Sequence, residues 1–240
     1  HTRYTAARGL PQLREAISGF YAQRYGVNID PQRILITPGG SGALLLASSL
    51  LVDPGKHWLL ADPGYPCNRH FLRLVEGAAQ LVPVGPEVRY QLNADLVERY
   101  WDQDSVGALV ASPANPTGTL LSRDELAGLS RALRERGGHL VVDEVYHGLT
   151  YGVDAGSVLE VDDDAFVLNS FSKYFGMTGW RLGWLVAPEA AVPELEKLAQ
   201  NLYICASTIA QHAALACFEP ATLAILEERR HEFQRRRDFL

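Results

Sequence analysis

Between Leu10 and Tyr21 the apolar residues Leu10, Leu13, Ile17, Phe20 and Tyr21 recur three and four positions apart, the period of a helix with one buried face, and Gly26 marks its end. The rhythm then changes. Short runs rich in Val, Leu and Ile follow at 34–37, 57–61, 80–84, 106–111, 139–142, 165–169 and 183–187, several of them separated by helix-length stretches. Their apolar residues stand at consecutive positions, which predicts strands covered on both faces, and the alternation with helices predicts right-handed crossovers. The expected fold class is α/β, a three-layer α/β/α domain on a mostly parallel seven-stranded sheet. Beyond Pro188 the chain reads as helix, over 194–203, 208–218 and 221–240. No repeat, low-complexity tract or linker interrupts it.

Composition narrows the function classes. The chain has 240 residues, 47% of them hydrophobic and 21% charged, which is globular. Its net charge is -6 and no segment gathers a basic face, so nucleic acid is not an expected partner. The longest apolar run, 43–52, falls short of the roughly 20 residues that span a bilayer, and no secretory leader opens the chain, so no membrane association is expected. Cys67, Cys205 and Cys217 form no C-x-x-C pair, which fits a reducing, cytoplasmic setting and argues against structural zinc. The chain opens at His1 without methionine and closes inside a helical run, so it is read as a piece of a longer protein. Near that end Arg229, Arg230, Arg235, Arg236 and Arg237 interleave with Glu227, Glu228, Glu232 and Asp238, the pattern of a solvated helix with local ion pairs.

In open parallel sheets ligands bind outside the carboxyl ends of the strands, so the segments after each apolar run hold the candidates. Five are chemically distinctive: 37–43, 62–66, 112–118, 143–146 and 169–173, the last followed by 179–183. Gly39, Gly40, Ser41 and Gly42 lie between a strand and a helix expected to begin near Ala43. They could cradle a phosphate with backbone N–H groups, or form a tight turn with Ser41 as helix cap. Their spacing matches neither common nucleotide-binding glycine motif.

Only three lysines occur, and Lys56 and Lys197 sit in a turn and on a charged helix. Lys173 follows an apolar strand, shares its loop with Ser170 and Ser172, and precedes Arg181 by eight positions. An amine among cationic, low-dielectric neighbours becomes nucleophilic toward carbonyls; the alternative is a surface lysine at a loop edge. Ser170 to Lys173 also spells the S-x-x-K of acyl-transfer enzymes, but the companion motifs S-D-N and K-T-G are absent. Asp143 and Glu144 close a strand and could cap a loop. With His147 they could suggest a metal, yet no second histidine stands at useful spacing, and none is expected. His57, His70, His139 and His212 stand apart and are assigned no role.

Together these segments, in register from Tyr4 to Arg181, resemble the large domain of class I/II aminotransferases, the fold-type I enzymes that use pyridoxal 5'-phosphate. The resemblance implies that Lys173 forms a Schiff base with the cofactor and then moves the substrate's proton, and that Asp143 faces the pyridine nitrogen. It implies that Tyr146 and Asn115 hydrogen-bond the ring's phenolic oxygen and that Tyr65 stacks on the ring. The phosphate would be held by Gly40, Ser41, Ser170, Ser172 and Arg181. Tyr4 would reach the phosphate of the adjoining subunit in a homodimer. Residues 1–240 would then be the cofactor-binding domain, without the N-terminal arm and the C-terminal small domain. The implied reaction transfers an amino group between an L-amino acid and a 2-oxo acid by a ping-pong route. Carbon-sulfur lyases and related synthases on the same fold, and non-enzymatic aminotransferase-like regulator domains, remain open alternatives.

Overall fold

The computed structural model describes residues 2–240. The helix read from the first apolar stripe is α1 (Pro11–Tyr25). Pro11 starts it, where a missing N–H costs nothing, and Gly26, at φ 68°, stops it by donating its N–H to the Ala22 carbonyl. Leu13, Ile17 and Tyr21 are fully buried, each contributing about 1.5–3 kcal/mol through burial.

The seven strands are β1 (Ile34–Thr37), β2 (His57–Asp62), β3 (Ala78–Pro83), β4 (Ser105–Ala111), β5 (His139–Asp143), β6 (Phe166–Ser170) and β7 (Gly183–Val186). They form one sheet in the order β1-β7-β6-β5-β4-β2-β3. Five neighbours, β6, β5, β4, β2 and β3, are parallel. β7 alone runs the other way, antiparallel to β1 on one side and β6 on the other. The expected mostly parallel sheet is therefore observed, with one reversed strand that a continuous apolar run does not encode.

Successive residues of β1, β4, β5, β6 and β7 serve opposite faces. Ile36, Val110, Val142, Val167 and Trp184 join α1 and the helices α5 (Arg123–Arg134) and α7 (Thr208–Leu215) in one core. Leu35, Leu109, Val141, Leu168 and Leu185 join α2 (Gly39–Leu51) and α6 (Val192–Leu202) in the other. That is the three-layer arrangement. The short helices α3 (Asn68–Leu74) and α4 (Ala94–Tyr100) fill two of the crossovers, and α8 (Pro220–Phe239) closes the chain. β3 departs from the reading of strands covered on both faces: it is one of the two edge strands, and unlike β1 it is open to solvent, with Leu81 42% exposed.

One helix boundary is corrected. α2 begins at Gly39, four positions before Ala43, so the glycines are its first turn and not a loop. Pro38 precedes it and no side chain caps it; Ser41 is the third helical residue, not the cap. Its first N–H groups are left without a capping side chain.

Candidate functional site

The carboxyl ends of β2, β4, β5 and β6, the start of α2 and the loop entering β7 surround a pocket of about 220 Å³. Gly40, Ser41, Tyr65, Asn115, Asp143, Tyr146, Ser170, Ser172, Lys173 and Arg181 all line it. Every residue to which the resemblance assigns a role, except Tyr4, is therefore brought to one place. Tyr4 lies outside the pocket and is 77% exposed.

β5 delivers Asp143 at its last position, where the carboxylate Oδ1 accepts the Val145 N–H at 3.0 Å. Burial lifts the carboxyl to about 6, against opposing pulls from that hydrogen bond and from the Lys173 ammonium. Three residues on, Tyr146 accepts a hydrogen bond through its hydroxyl from Asn115 Nδ2 at 3.3 Å. The Lys173 ammonium lies 5.2 Å from the centroid of the Tyr146 ring, within cation–π range. Lys173 is exposed, so the low-dielectric surroundings expected of it are not realised. What faces the amine instead is an aromatic ring and a half-buried acid.

The loop from β6 to β7 is tied at several points. Ser170 Oγ donates to the Leu182 carbonyl at 3.2 Å and accepts the Ser172 N–H at 3.1 Å. Thr178 Oγ1 donates to the Ser172 carbonyl at 2.9 Å, and Arg181 Nη1 donates to the Thr178 carbonyl at 3.1 Å and to Ser172 Oγ at 3.4 Å. The Arg181 guanidinium lies against Gly39, where an added Cβ would sit 2.7 Å from Nη2. Arg181, the two serines and the uncapped start of α2 thus share one corner, a donor set suited to an anion with several oxygens. Ser170 is the exception among them, because its hydroxyl is already spent on the loop.

Tyr65 is 44% exposed and forms a wall between this pocket and an adjoining cavity of about 160 Å³. Residues not singled out from the sequence complete the lining: Leu44, Asn68, Phe71, Val145, Leu168 and Thr178 among them. Of these, Val145, inside the distinctive segment 143–146, and Thr178, between the segments 169–173 and 179–183, carried a usable signal.

Asp143, Glu144 and His147 do not converge on a metal. Glu144 is wholly buried away from the pocket, accepting from Ser157 Oγ at 2.9 Å and from the Val158 N–H at 2.9 Å. Burial raises its carboxyl to about 8, and lowers the His147 imidazole, 3.4 Å away, to about 4. His57 is not isolated. Its Nε2 sits 2.9 Å from Ser105 Oγ and 3.2 Å from Asp102 Oδ1, at the opposite ends of β2 and β4 from the pocket. Both partners meet the same nitrogen, so the three do not form a nucleophile relay. The basic tail pairs as expected, Arg235 and Arg236 with Glu232 and Arg237 with Asp238. Among the described residues no single helix is long and apolar enough to cross a membrane.

The family model for aminotransferase class I and II matches residues 1–240. A valine–pyruvate aminotransferase of Mycobacterium tuberculosis is 40% identical over 92% of this chain and 57% of its own length. An aspartate aminotransferase of Sulfolobus acidocaldarius is 31% identical over 100% of this chain and 60% of its own. The crystal structure of an aminotransferase from Mycobacterium tuberculosis superposes with a TM-score of 0.96 at 37% identity, covering 100% of this chain and 66% of that one. The chain thus spans about 57–60% of the length of these two curated relatives.

Proposed function

The chain belongs to the class I and II aminotransferase family, and from that premise we propose that it is the large domain of a pyridoxal 5'-phosphate-dependent aminotransferase. The whole protein transfers an amino group between an L-amino acid and a 2-oxo acid in two half-reactions. The observation that carries this reading is the meeting of an amine, a half-buried acid and an anion corner in one pocket: Lys173, Asp143, and Arg181 with Ser172 and the start of α2. Its coverage of little more than half of its relatives supports the assignment as one domain of a longer chain.

The residues fit the cofactor. Arg181, Ser41, Ser172 and the Gly40 and Ser41 N–H groups would hold the phosphate, with Ser170 bracing the loop. Asp143 would face the pyridine nitrogen, Tyr146 and Asn115 the phenolic oxygen, and Tyr65 the ring face. When bound, pyridoxal phosphate supplies an aldehyde that condenses with amines and a ring that takes up the electron pair left on the substrate Cα. Asp143, whose carboxyl burial lifts to about 6, would be held ionised by a cationic N–H there and would keep the proton on that nitrogen. Lys173 Nζ, on a long side chain within the same pocket, would take the proton from the substrate Cα and deliver it to the cofactor's former aldehyde carbon. Tyr146, whose ring lies beneath the ammonium, limits where that chain end can travel.

The protein acts as a homodimer in the cytoplasm, with the exposed Tyr4 reaching the partner's phosphate corner; free Cys67, Cys205 and Cys217 are in keeping with a reducing compartment. Borohydride reduction of the full-length protein, followed by peptide mapping, tests the assignment. A cofactor-sized mass is expected on Lys173. Label on Lys56 or Lys197, which are ion-paired to Asp104 and Glu194, overturns it. An amino acid panel followed by absorbance, with ammonia assayed in parallel, separates transamination from elimination.

A further inference from the structure

Lys173 has well-defined bonds on its amino side, where Ser170 and Ser172 lock the loop. Its carboxyl-side neighbour, Tyr174, is held by a separate set of contacts reaching across the molecule. Tyr174 is 4% exposed. Its ring has the Arg24 guanidinium of α1 at 4.9 Å from the centroid, and it packs onto Gly148, two residues past Tyr146. Gly148 has φ 88°, and an added Cβ there would sit 2.6 Å from Tyr174 Cδ2, so only glycine lets the ring lie this close.

The phenol reaches α8. Tyr174 OH donates to Glu227 Oε1 at 2.5 Å. The same carboxylate accepts from Arg24 Nη1 at 3.3 Å and from Arg230 Nε at 2.7 Å, and Arg230 Nη1 donates onward to the Thr150 carbonyl at 3.3 Å. One carboxylate therefore gathers α1, the lysine loop, the segment after Tyr146 and α8. Partial burial pushes Glu227 up, but the hydrogen bonds from Tyr174, Arg230 and Arg24 outweigh it and hold the carboxyl below its ordinary value. On α8 only Leu226, beside Glu227, is fully buried, with Leu223 one turn earlier packed half-buried against the core. The turn carrying Leu226 and Glu227 is where α8 is fastened, and it is fastened to the residue next to Lys173.

We infer that Tyr174 is a positioning residue for Lys173, anchored by its hydrogen bond to Glu227, so that the seating of α8 sets the reach of the amine. The inference rests on the function proposed for Lys173. Tyr174 touches neither substrate nor cofactor; it acts through the backbone of its neighbour. Loss of the phenol would leave the ring packed while freeing the loop to slide, and reacting groups are sensitive to small displacements.

The test uses the full-length holoprotein and the variants Tyr174→Phe, Glu227→Ala and Glu227→Gln. Three quantities are read: kcat against KM, the pH midpoint of the bound cofactor's visible absorbance, and the urea unfolding midpoint. Tyr174→Phe is expected to lower kcat about tenfold with KM little changed, less than the roughly hundredfold that a 1 Å misplacement costs. The absorbance midpoint shifts with it, because it follows the proton on the linkage to Lys173. Glu227→Ala does the same, and the double variant is no worse than either single. Glu227→Gln, whose amide oxygen still accepts the phenol's hydrogen bond, restores both readouts. Unchanged kcat and absorbance midpoint in Tyr174→Phe, with only the unfolding midpoint lowered, overturns the inference. A wild-type protein whose borohydride label misses Lys173 overturns the function beneath it, a separate and recognisable failure.

Discussion

Replacing Gly39 with alanine disturbs the proposed anion corner without removing any of its donors. Gly39 has φ 74°, a conformation in which a side chain costs about 1–2 kcal/mol. The new Cβ would meet Arg181 Nη2 at 2.7 Å. The colliding atom is the far end of a flexible side chain, so the guanidinium swings aside and the backbone stays where it is. Stability therefore falls by the backbone strain alone, about 1–2 kcal/mol. Binding falls for a different reason. A hydrogen bond to a charged group contributes about 1.5–3 kcal/mol, so a displaced Arg181 weakens phosphate retention roughly ten- to hundredfold. Fluorescence titration of the cofactor-free, full-length protein with pyridoxal phosphate and with unphosphorylated pyridoxal measures this, alongside urea unfolding. Gly39→Ala should weaken only the phosphorylated ligand, and combining it with Arg181→Ala should add little to Arg181→Ala alone. Equal weakening of both ligands, or intact affinity in a destabilised protein, refutes the guanidinium's role.

Two further outcomes concern the carboxyls that burial raises. In the folded, cofactor-free chain Asp143 titrates near 6 against an ordinary 3.8, so the folded state binds its proton more tightly than the unfolded one. The stabilisation this gives is complete below 3.8 and is lost as pH rises through about 6. Thermal melts from acid to neutral pH should therefore decline more steeply for the wild type than for Asp143→Asn, and parallel curves contradict the shift. Glu144→Ala strands Ser157 Oγ and the Val158 N–H and should cost about 2–4 kcal/mol by urea unfolding. Glu144→Gln keeps an acceptor and should cost under about 1.5 kcal/mol; equal losses would show that the hydrogen bonds are not what matters.

Much of this was legible before any coordinates. All seven strands coincide with apolar runs, and for the strands covered on both faces the reason is that every consecutive position must be apolar; β3, at an exposed edge, is the exception. The pocket residues were legible because glycine, proline, serine and charge cluster just after those runs, where a parallel sheet opens to ligands. The direction of β7 was not, since Gly183 to Val186 reads the same either way. Nor was the start of α2: glycines suggest a turn, and only the geometry at Gly39 makes them the first turn of a helix. Glu144 was legible as a loop cap, but its partner 13 positions on was not, and Tyr174 was hidden altogether: it stands one position from a chemically conspicuous residue, and its importance comes from a partner 53 positions away in the chain. Sequence spacing does not carry that information.

The reversal of β7 has a consequence for how charge is delivered. Had β7 been parallel to β6, the chain leaving Ser170 would have had to return to the opposite end of the strands, and a lysine and an arginine could not have shared one short connection. Turning back instead, residues 171–182 carry both cations to the same rim, braced by their own hydroxyls and carbonyls. The two are thereby spaced within one short connection that Tyr174 moors to Glu227, so a single insertion between residues 173 and 181 would mis-set both cations at a stroke.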